Sequence, residues 1–171
     1  MSFTGHALLW AVDTSTRSGR DWFETPMAEG LLMMSGLLMT GRASQPATAR
    51  LPYLPESASV ARRLVREKLV EWELAELIDM GELIVSELVT NATKTGCLTR
   101  MTFTIRRVTD RTVRVAVRDG SRVMPTLMVA GEDEEGHRGL ALVHELTKGR
   151  WGAVAEPFGK VVHADLVVSR R

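Results

Sequence analysis

The stretch SELVTNA, residues 86 to 92, is the most informative part of the sequence, because it joins an apolar helical face to two oxygen-bearing side chains. Apolar residues recur at helical spacing from about Leu77 to Thr95, which predicts one amphipathic helix. Glu87 and Asn91 share one face of this helix, at the edge of its apolar side. Their oxygens suit a magnesium ion or the positioning of a hydroxyl group. Taken alone, however, the pair fits a solvated helix edge better.

Composition limits the classes of protein to which the chain can belong. Its 171 residues suit one domain, and 22 Lys and Arg against 21 Asp and Glu give no strong field for nucleic acid. The single cysteine, Cys97, excludes a disulfide scaffold and favours a reducing cytoplasm. The most apolar run, Leu31 to Met39, is too short for a membrane span, which needs about 20 residues. We therefore expect a cytoplasmic protein without direct contact to nucleic acid or membrane.

The chain divides near residue 50. Residues 1 to 50 hold short apolar islands in a polar background and end in a stretch typical of a linker. We interpret them as a mobile N-terminal extension, with a partner-binding helix around Ala28 to Met39 as the alternative. From Leu51 the pattern becomes regular, and residues 51 to 171 are predicted to form the folded domain.

The regular part predicts two helices, a hairpin, a third helix and a second hairpin. Ser57 is a plausible N-cap of the first helix, and Gly96 would end the second. The other elements are strands around 101–105 and 113–117, a helix over Gly139 to Lys148, and strands over Trp151 to Ala155 and Val161 to Val168. This order predicts an α+β two-layer sandwich, with a mixed or antiparallel sheet covered on one face by helices.

Asp119 stands at the end of a strand with alternating valines and precedes Gly120 and Ser121. An acid followed by glycine at a strand end usually forms a turn. The functional alternative is a carboxylate at the base of a pocket, where it would accept a hydrogen bond from a ligand amino group.

Residues 131 to 142, GEDEEGHRGLAL, place four consecutive acids before a helix start. At Gly136-His137-Arg138-Gly139, free N–H groups, the helix dipole and the arginine would attract a phosphate. A loop and its cap explain the glycines equally well. Neither His137 nor His144 has the spacing of paired zinc ligands, so both are interpreted as ordinary polar residues.

In their order and spacing, these motifs resemble the GHKL ATP-binding domain of histidine kinases, Hsp90, gyrase and MutL, which has the Bergerat fold. The series is Glu87-x-x-x-Asn91, then Asp119 after a hairpin, then Gly136-His137-Arg138-Gly139-Leu140. The segments SELVTNA and RGLALV are especially typical of the serine-kinase anti-sigma factors and their actinobacterial relatives. The resemblance spans about Leu51 to Val168, so it implies an ATP-binding domain in residues 51 to 171.

The resemblance implies a role for each matching residue. Asn91 would coordinate a magnesium ion that bridges the phosphates, Glu87 would be the catalytic base or orient the attacking hydroxyl, and Asp119 would bind the adenine amino group. Residues 120 to 136 would form a mobile lid over ATP, with the acids Glu132 to Glu135 favouring an open loop. The remaining cofactor-binding positions that it implies are Gly136, His137, Arg138, Gly139 and Leu140.

The implied function is that of an ATP- and Mg²⁺-dependent serine/threonine protein kinase that phosphorylates an anti-anti-sigma-type partner. A sigma factor would be a second partner, and many relatives form homodimers. Four departures from the family pattern favour the alternative, a catalytically weak or inactive binding module that sequesters a partner protein. They are His137 in place of a glycine, Thr95 in place of a histidine, Val161 in place of a threonine that supports the adenine-binding aspartate, and a missing second glycine after Asp119-Gly120-Ser121.

Overall fold

A five-stranded sheet and three α-helices form the described part of a computed structural model, residues 45–95, 100–126 and 138–169. The strands are β1 (Ala47–Pro52), β2 (Arg100–Thr109), β3 (Thr112–Asp119), β4 (Trp151–Glu156) and β5 (Gly159–Val167). The helices are α1 (Ser57–Glu71), α2 (Ile78–Thr95) and α3 (Arg138–Thr147), with a 3₁₀ turn at Ala75–Leu77 before α2. The sheet order is β1-β2-β3-β5-β4, so β3 is the central strand. No helix in these residues is long and apolar enough to cross a membrane.

The predicted α+β sandwich is confirmed, and every strand pair is antiparallel. Both hairpins and the second and third helices form where the periodicity predicts them. Gly149 follows α3 with a φ of 77°, and its N–H donates to the carbonyl oxygen of His144 at 2.8 Å. This left-handed C-terminal cap explains why α3 stops there. Gly96, the predicted end of α2, lies outside the described residues.

Strand β1 is an element that the sequence pattern did not predict. Its sequence, ATARLP, offers small side chains and a terminal proline, which is a weak strand signal. It becomes a strand by pairing with β2 along its whole length at the sheet edge. The domain boundary that we expected near residue 50 therefore falls inside β1. Residues 1–44, which contain the helix considered at Ala28 to Met39, lie outside the described residues.

Ser57 does not cap α1 as predicted. It is the first residue of the helix, while Glu56 takes the N-cap position without a side-chain capping bond. The Ser57 hydroxyl instead donates to the carbonyl oxygen of Pro52 at 2.7 Å, and the side chain is buried. The hydroxyl thus joins the start of α1 to the end of β1, because the turn between them brings Pro52 within its reach.

The hydrophobic core lies between the helices and one face of the sheet. Alternate residues of β3 and their partners on β5 supply its sheet side: Val113 with Leu166, Val115 with Ala164, and Val117 with Val162. Asp119 continues this series on β3, and Lys160 is its partner on β5. Since side chains alternate along a strand, the register directs both charged groups towards the helices rather than towards the outer face.

The outer face of the sheet is polar. Arg114 donates to both carboxylate oxygens of Asp165 across β3 and β5, at 2.5 and 2.6 Å. Burial lowers the pKa of Arg106, and the nearby Arg114 lowers it further, while Asp165 acts in the opposite direction. Arg106 nevertheless stays charged at neutral pH, as arginine does in proteins. One carboxylate therefore compensates two neighbouring guanidinium groups.

Helices α1 and α2 pack closely at Gly81. A Cβ atom at this position would lie 2.9 Å from Val65 Cγ1 and 3.4 Å from Leu69 Cδ1. Val65 and Leu69 are fully buried, and a β-branched side chain has little rotamer freedom with which to move away. A glycine is therefore needed for the observed separation of the two helices.

Gly81→Val is expected to lower the free energy of unfolding by about 2 kcal/mol, because the added methyl groups overpack the seam between α1 and α2. The helix propensity of valine opposes this by only about half a kcal/mol. Urea denaturation measures the difference. Thr90→Val, at an exposed position of the same helix, is the control and should stay within about 0.5 kcal/mol of the parent. A Gly81→Val protein as stable as the parent would contradict close packing at this seam.

Candidate functional site

A cavity of about 310 Å³ opens beside α2, the end of β3, the start of β5 and the first turn of α3. Its volume lies at the lower end of the range for small-molecule sites. The apolar walls include Leu88, Ala92, Val117 and Val162, and the polar groups include Asn91, Asp119 and Lys160. Leu140, which is buried, lines it from α3. The cavity thus gathers Asn91, Asp119 and Leu140, which lie on three different elements.

Asp119 combines the two interpretations that its sequence context allows. Its Oδ1 accepts a hydrogen bond from the backbone N–H of Ser121 at 2.7 Å, which closes a tight turn after β3. The backbone N–H of Gly120 donates to the hydroxyl of Tyr53 at 3.2 Å. The Asp119 side chain is also buried and lines the cavity. The turn therefore holds the carboxylate in a fixed orientation at the cavity wall.

Lys160 is a residue of the site that the sequence pattern did not single out. Its Nζ lies 2.9 Å from Asp119 Oδ1, and the two side chains are only 4% and 1% exposed. Gly159 precedes it with a φ of 146°, and a Cβ there would overlap the carbonyl oxygen of Asp119. Only glycine lets this hairpin pass so close to the end of β3. One sequence signal could have identified Lys160: it lies two residues before Val162, in phase with the core-facing residues of β5.

Lys160 occupies the position beside Asp119 at which we expected Val161. Val161 pairs with Arg118 in the sheet, one residue out of phase with Asp119. Strand alternation directs its side chain to the opposite face of the sheet, where it is fully buried. The aspartate therefore has an ammonium group beside it, and the valine does not bear on its support.

Thr95 lies one helical turn after Asn91, and both residues stand at the rim of the cavity. The Thr95 hydroxyl donates to the carbonyl oxygen of Asn91 at 3.1 Å, and its oxygen lies 3.4 Å from Lys160 Nζ. Asn91 is half-buried and lines the cavity. Its amide is therefore held by α2 at the polar end of a pocket whose other walls are mostly apolar.

Glu87 packs against the start of α3. A Cβ added to Gly139 would overlap Glu87 Oε2, so these two positions are in direct contact. Glu87 is half-buried and lies one turn before Asn91 on the same face of α2. It does not line the cavity among the described residues but flanks it. The glycine that was expected beside the phosphates therefore also makes room for the carboxylate that was expected to act on a hydroxyl.

The remaining predicted positions are only partly described. Arg138 is the first residue of α3. Gly136, His137 and the acids Glu132 to Glu135 lie outside the described residues. Of the expected lid, residues 120 to 126 are described, and Val123 and Met124 among them line the cavity.

His144 forms a hydrogen bond that links two elements of the fold. Its Nδ1 accepts a hydrogen bond from Trp151 Nε1 at 3.2 Å, which joins α3 to β4. Within the described ranges, no group of three or more His, Cys, Asp or Glu side chains could hold a metal ion. A cation at this site would therefore need ligands besides such a cluster.

The contact between Gly139 and Glu87 predicts a strong energetic coupling. Gly139→Ala should cost about 1–3 kcal/mol of unfolding free energy, because its methyl group displaces the carboxylate. In a Glu87→Ala background the same substitution should cost less than about 0.5 kcal/mol, since the obstacle is gone. Chemical denaturation of the four proteins of this double-mutant cycle gives the coupling. Equal losses in both backgrounds would contradict the contact.

Comparisons with known proteins identify the family of this fold. Among solved structures, the chain resembles the RsbU and RsbW domains of Rv1364c from Mycobacterium tuberculosis, with a TM-score of 0.51 and 21% sequence identity. The match covers 74% of this chain and only 33% of that one. No curated protein matches the chain significantly. The sequence pattern of the histidine kinase-like ATPase domain matches residues 47–156. Because this match extends over most of the sequence, the chain belongs to the histidine kinase-like ATPase domain family.

Proposed function

We propose that this domain binds ATP with Mg²⁺ and acts as a regulatory serine/threonine protein kinase of the anti-sigma factor type. The observation that carries the proposal is that one cavity collects Asn91, Asp119 and Leu140, with Glu87 and Gly139 in contact at its edge. These five positions lie on α2, β3 and α3, and each matches a residue to which the family resemblance gives a role.

The apolar walls suit a flat purine base. Leu88 and Ala92 on α2 lie on one side, while Val117 and Val162 come from the sheet. Burying a base between such walls removes apolar surface from water, which favours binding without directional bonds. Asp119 then supplies the orientation, because its carboxylate can accept a hydrogen bond from an exocyclic amino group.

The polar end of the cavity suits the phosphates. Asn91 offers an amide oxygen, the kind of hard ligand that Mg²⁺ accepts alongside phosphate oxygens and water. One or two protein ligands suffice for such an ion, which agrees with the lack of a metal-binding cluster among the described residues. When bound, Mg²⁺ would neutralise phosphate charge during phosphoryl transfer. The first turn of α3, at Gly139 and Leu140, adds N–H groups that have no partner within the helix and a favourable helix dipole.

Glu87 is the residue we assign to the attacking hydroxyl. Its carboxylate reaches the start of α3 and lies one helical turn from Asn91. A carboxylate there could orient a serine or threonine hydroxyl and accept its proton. Since phosphoryl transfer depends mostly on positioning and charge neutralisation, few further groups are needed.

The partner we propose is an anti-anti-sigma-type protein that presents the serine or threonine, with a sigma factor as a second, sequestered partner. The fold that the chain shares with the RsbU and RsbW domains of Rv1364c is compatible with this role. A binding module that holds its partner without phosphorylating it remains the alternative outcome of the transfer experiment below.

Binding is tested by thermal unfolding with and without Mg-ATP. Nucleotide at about 100 times its Kd should stabilise the native state by about 2.7 kcal/mol and raise the Tm by several degrees. Asn91→Ala should abolish the part of this rise that depends on Mg²⁺ and keep the part that ATP produces alone. Thr90→Ala, at an exposed neighbouring position of α2, is the control and should behave as the parent. No rise at millimolar Mg-ATP would refute nucleotide binding.

Transfer is tested with labelled ATP and a candidate partner of the anti-anti-sigma type. Glu87→Gln keeps the shape of the side chain but cannot accept a proton, so the rate should fall by about 100-fold or more while the Mg-ATP-induced rise in Tm persists. Glu82→Gln is the matched control on α2, because its carboxylate pairs with Arg66 at 2.8 Å away from the cavity. Equal rates for Glu87→Gln and the parent would refute the assigned role.

A further inference from the structure

We propose that Lys160 is a specificity-determining residue, which reads the edge of the nucleotide base together with Asp119 and admits 6-oxo purines as well as adenine. This inference rests on the proposed function, because it concerns the base of the nucleotide held in the same cavity. It follows from the geometry and burial of one ion pair.

The ion pair stays intact when a ligand enters. Asp119 and Lys160 are almost completely buried, at 1% and 4% side-chain exposure. Separating the two charges would leave each of them uncompensated in an apolar surrounding, which is far more costly than leaving a neutral hydrogen bond unmade. A base that binds here therefore adds its hydrogen bonds to the pair and does not replace Lys160.

The pair keeps one acceptor and one donor for a ligand. Asp119 Oδ1 accepts from both Lys160 Nζ and the backbone N–H of Ser121. None of the hydrogen bonds within the described ranges uses Asp119 Oδ2. An ammonium group has three N–H bonds, and those of Lys160 reach Asp119 Oδ1 and, at 3.4 Å, Thr95 Oγ1. The third is left for a ligand, and both residues line the cavity.

Adjacent donor and acceptor groups match the edge of either purine. Adenine carries an amino donor at position 6 and a ring acceptor at position 1, while guanine carries a carbonyl acceptor and an N–H donor at these positions. At position 6, a carboxylate alone can accept a hydrogen bond from the adenine amino group. It would repel the guanine carbonyl, because both groups are acceptors. With Lys160 beside it, the carbonyl receives an ammonium N–H while Asp119 receives the ring N–H. The pair thus removes the basis for excluding guanine.

Calorimetric titration of the full chain with Mg-ATP and Mg-GTP tests this inference. We expect the parent to bind the two nucleotides with Kd values within about tenfold of each other. Lys160→Met removes the donor at similar length and should weaken Mg-GTP relative to Mg-ATP by at least about tenfold. Both bases lose the ammonium N–H, but adenine keeps its amino hydrogen bond to Asp119, whereas the guanine carbonyl is left beside the carboxylate without a donor. Lys160→Thr places a neutral hydroxyl beside Asp119, so the buried carboxylate keeps a hydrogen-bond donor that methionine would not supply. It should shift the ratio of the two Kd values in the same direction.

The control is Lys148→Met, which removes an ammonium group from an exposed position outside the cavity and should keep the parental ratio. Circular dichroism establishes that each variant is folded. A parent that binds Mg-ATP but binds Mg-GTP more than about tenfold more weakly overturns the role of Lys160 and leaves the proposed function standing. If both Lys160 variants keep the parental ratio of the Kd values for Mg-ATP and Mg-GTP, the role of Lys160 is likewise overturned and the proposed function stands. A parent that binds neither nucleotide overturns the proposed function and this inference with it.

Discussion

A buried carboxylate at the end of a core strand needs a partner that compensates its negative charge. Much of the site depends on the partners that Asp119 finds. The central strand β3 carries buried valines up to this residue, so Asp119 enters the helix-facing layer with them. Lys160 meets it from β5 at 2.9 Å, and the N–H of Ser121 meets the same oxygen from the turn. A buried charge without such partners would neutralise or unfold the region. The ion pair therefore lets a charged group form part of an apolar cavity.

Helix α2 is shared between stability and the site. Its apolar face packs on β3, β5 and α1, with Gly81 setting the distance to α1. Its edge carries Glu87 and Asn91, one turn apart, towards α3 and the cavity. Because the same helix is locked into the core, both polar groups are held on a rigid element. A rigid support of this kind favours catalysis by positioning.

Local patterns were sufficient to predict most elements, and long-range pairing explains those they missed. The helical period around Glu87 and Asn91 and the alternating valines before Asp119 predicted α2 and β3, since these patterns report which side faces the core. Strand β1 has almost no such signal and forms because β2 offers it an edge. Ser57 fits the composition of an N-cap, yet its hydroxyl binds Pro52, which only the chain path brings near. The cavity brings together the candidate residues Asn91, Asp119 and Leu140, which lie far apart in the chain.

The fold class and most candidate residues could be inferred from the sequence, because hydrophobic periodicity and motif spacing are properties of neighbouring positions. The residue beside Asp119 could be identified only from the folded sheet. Lys160 lies 41 residues further along the chain, and its pairing depends on the register of β3 against β5. A shift of one residue would have placed Val161 there and turned the lysine to the opposite face. Register is a collective property of the sheet, so the partner of the buried carboxylate follows from packing and not from local sequence.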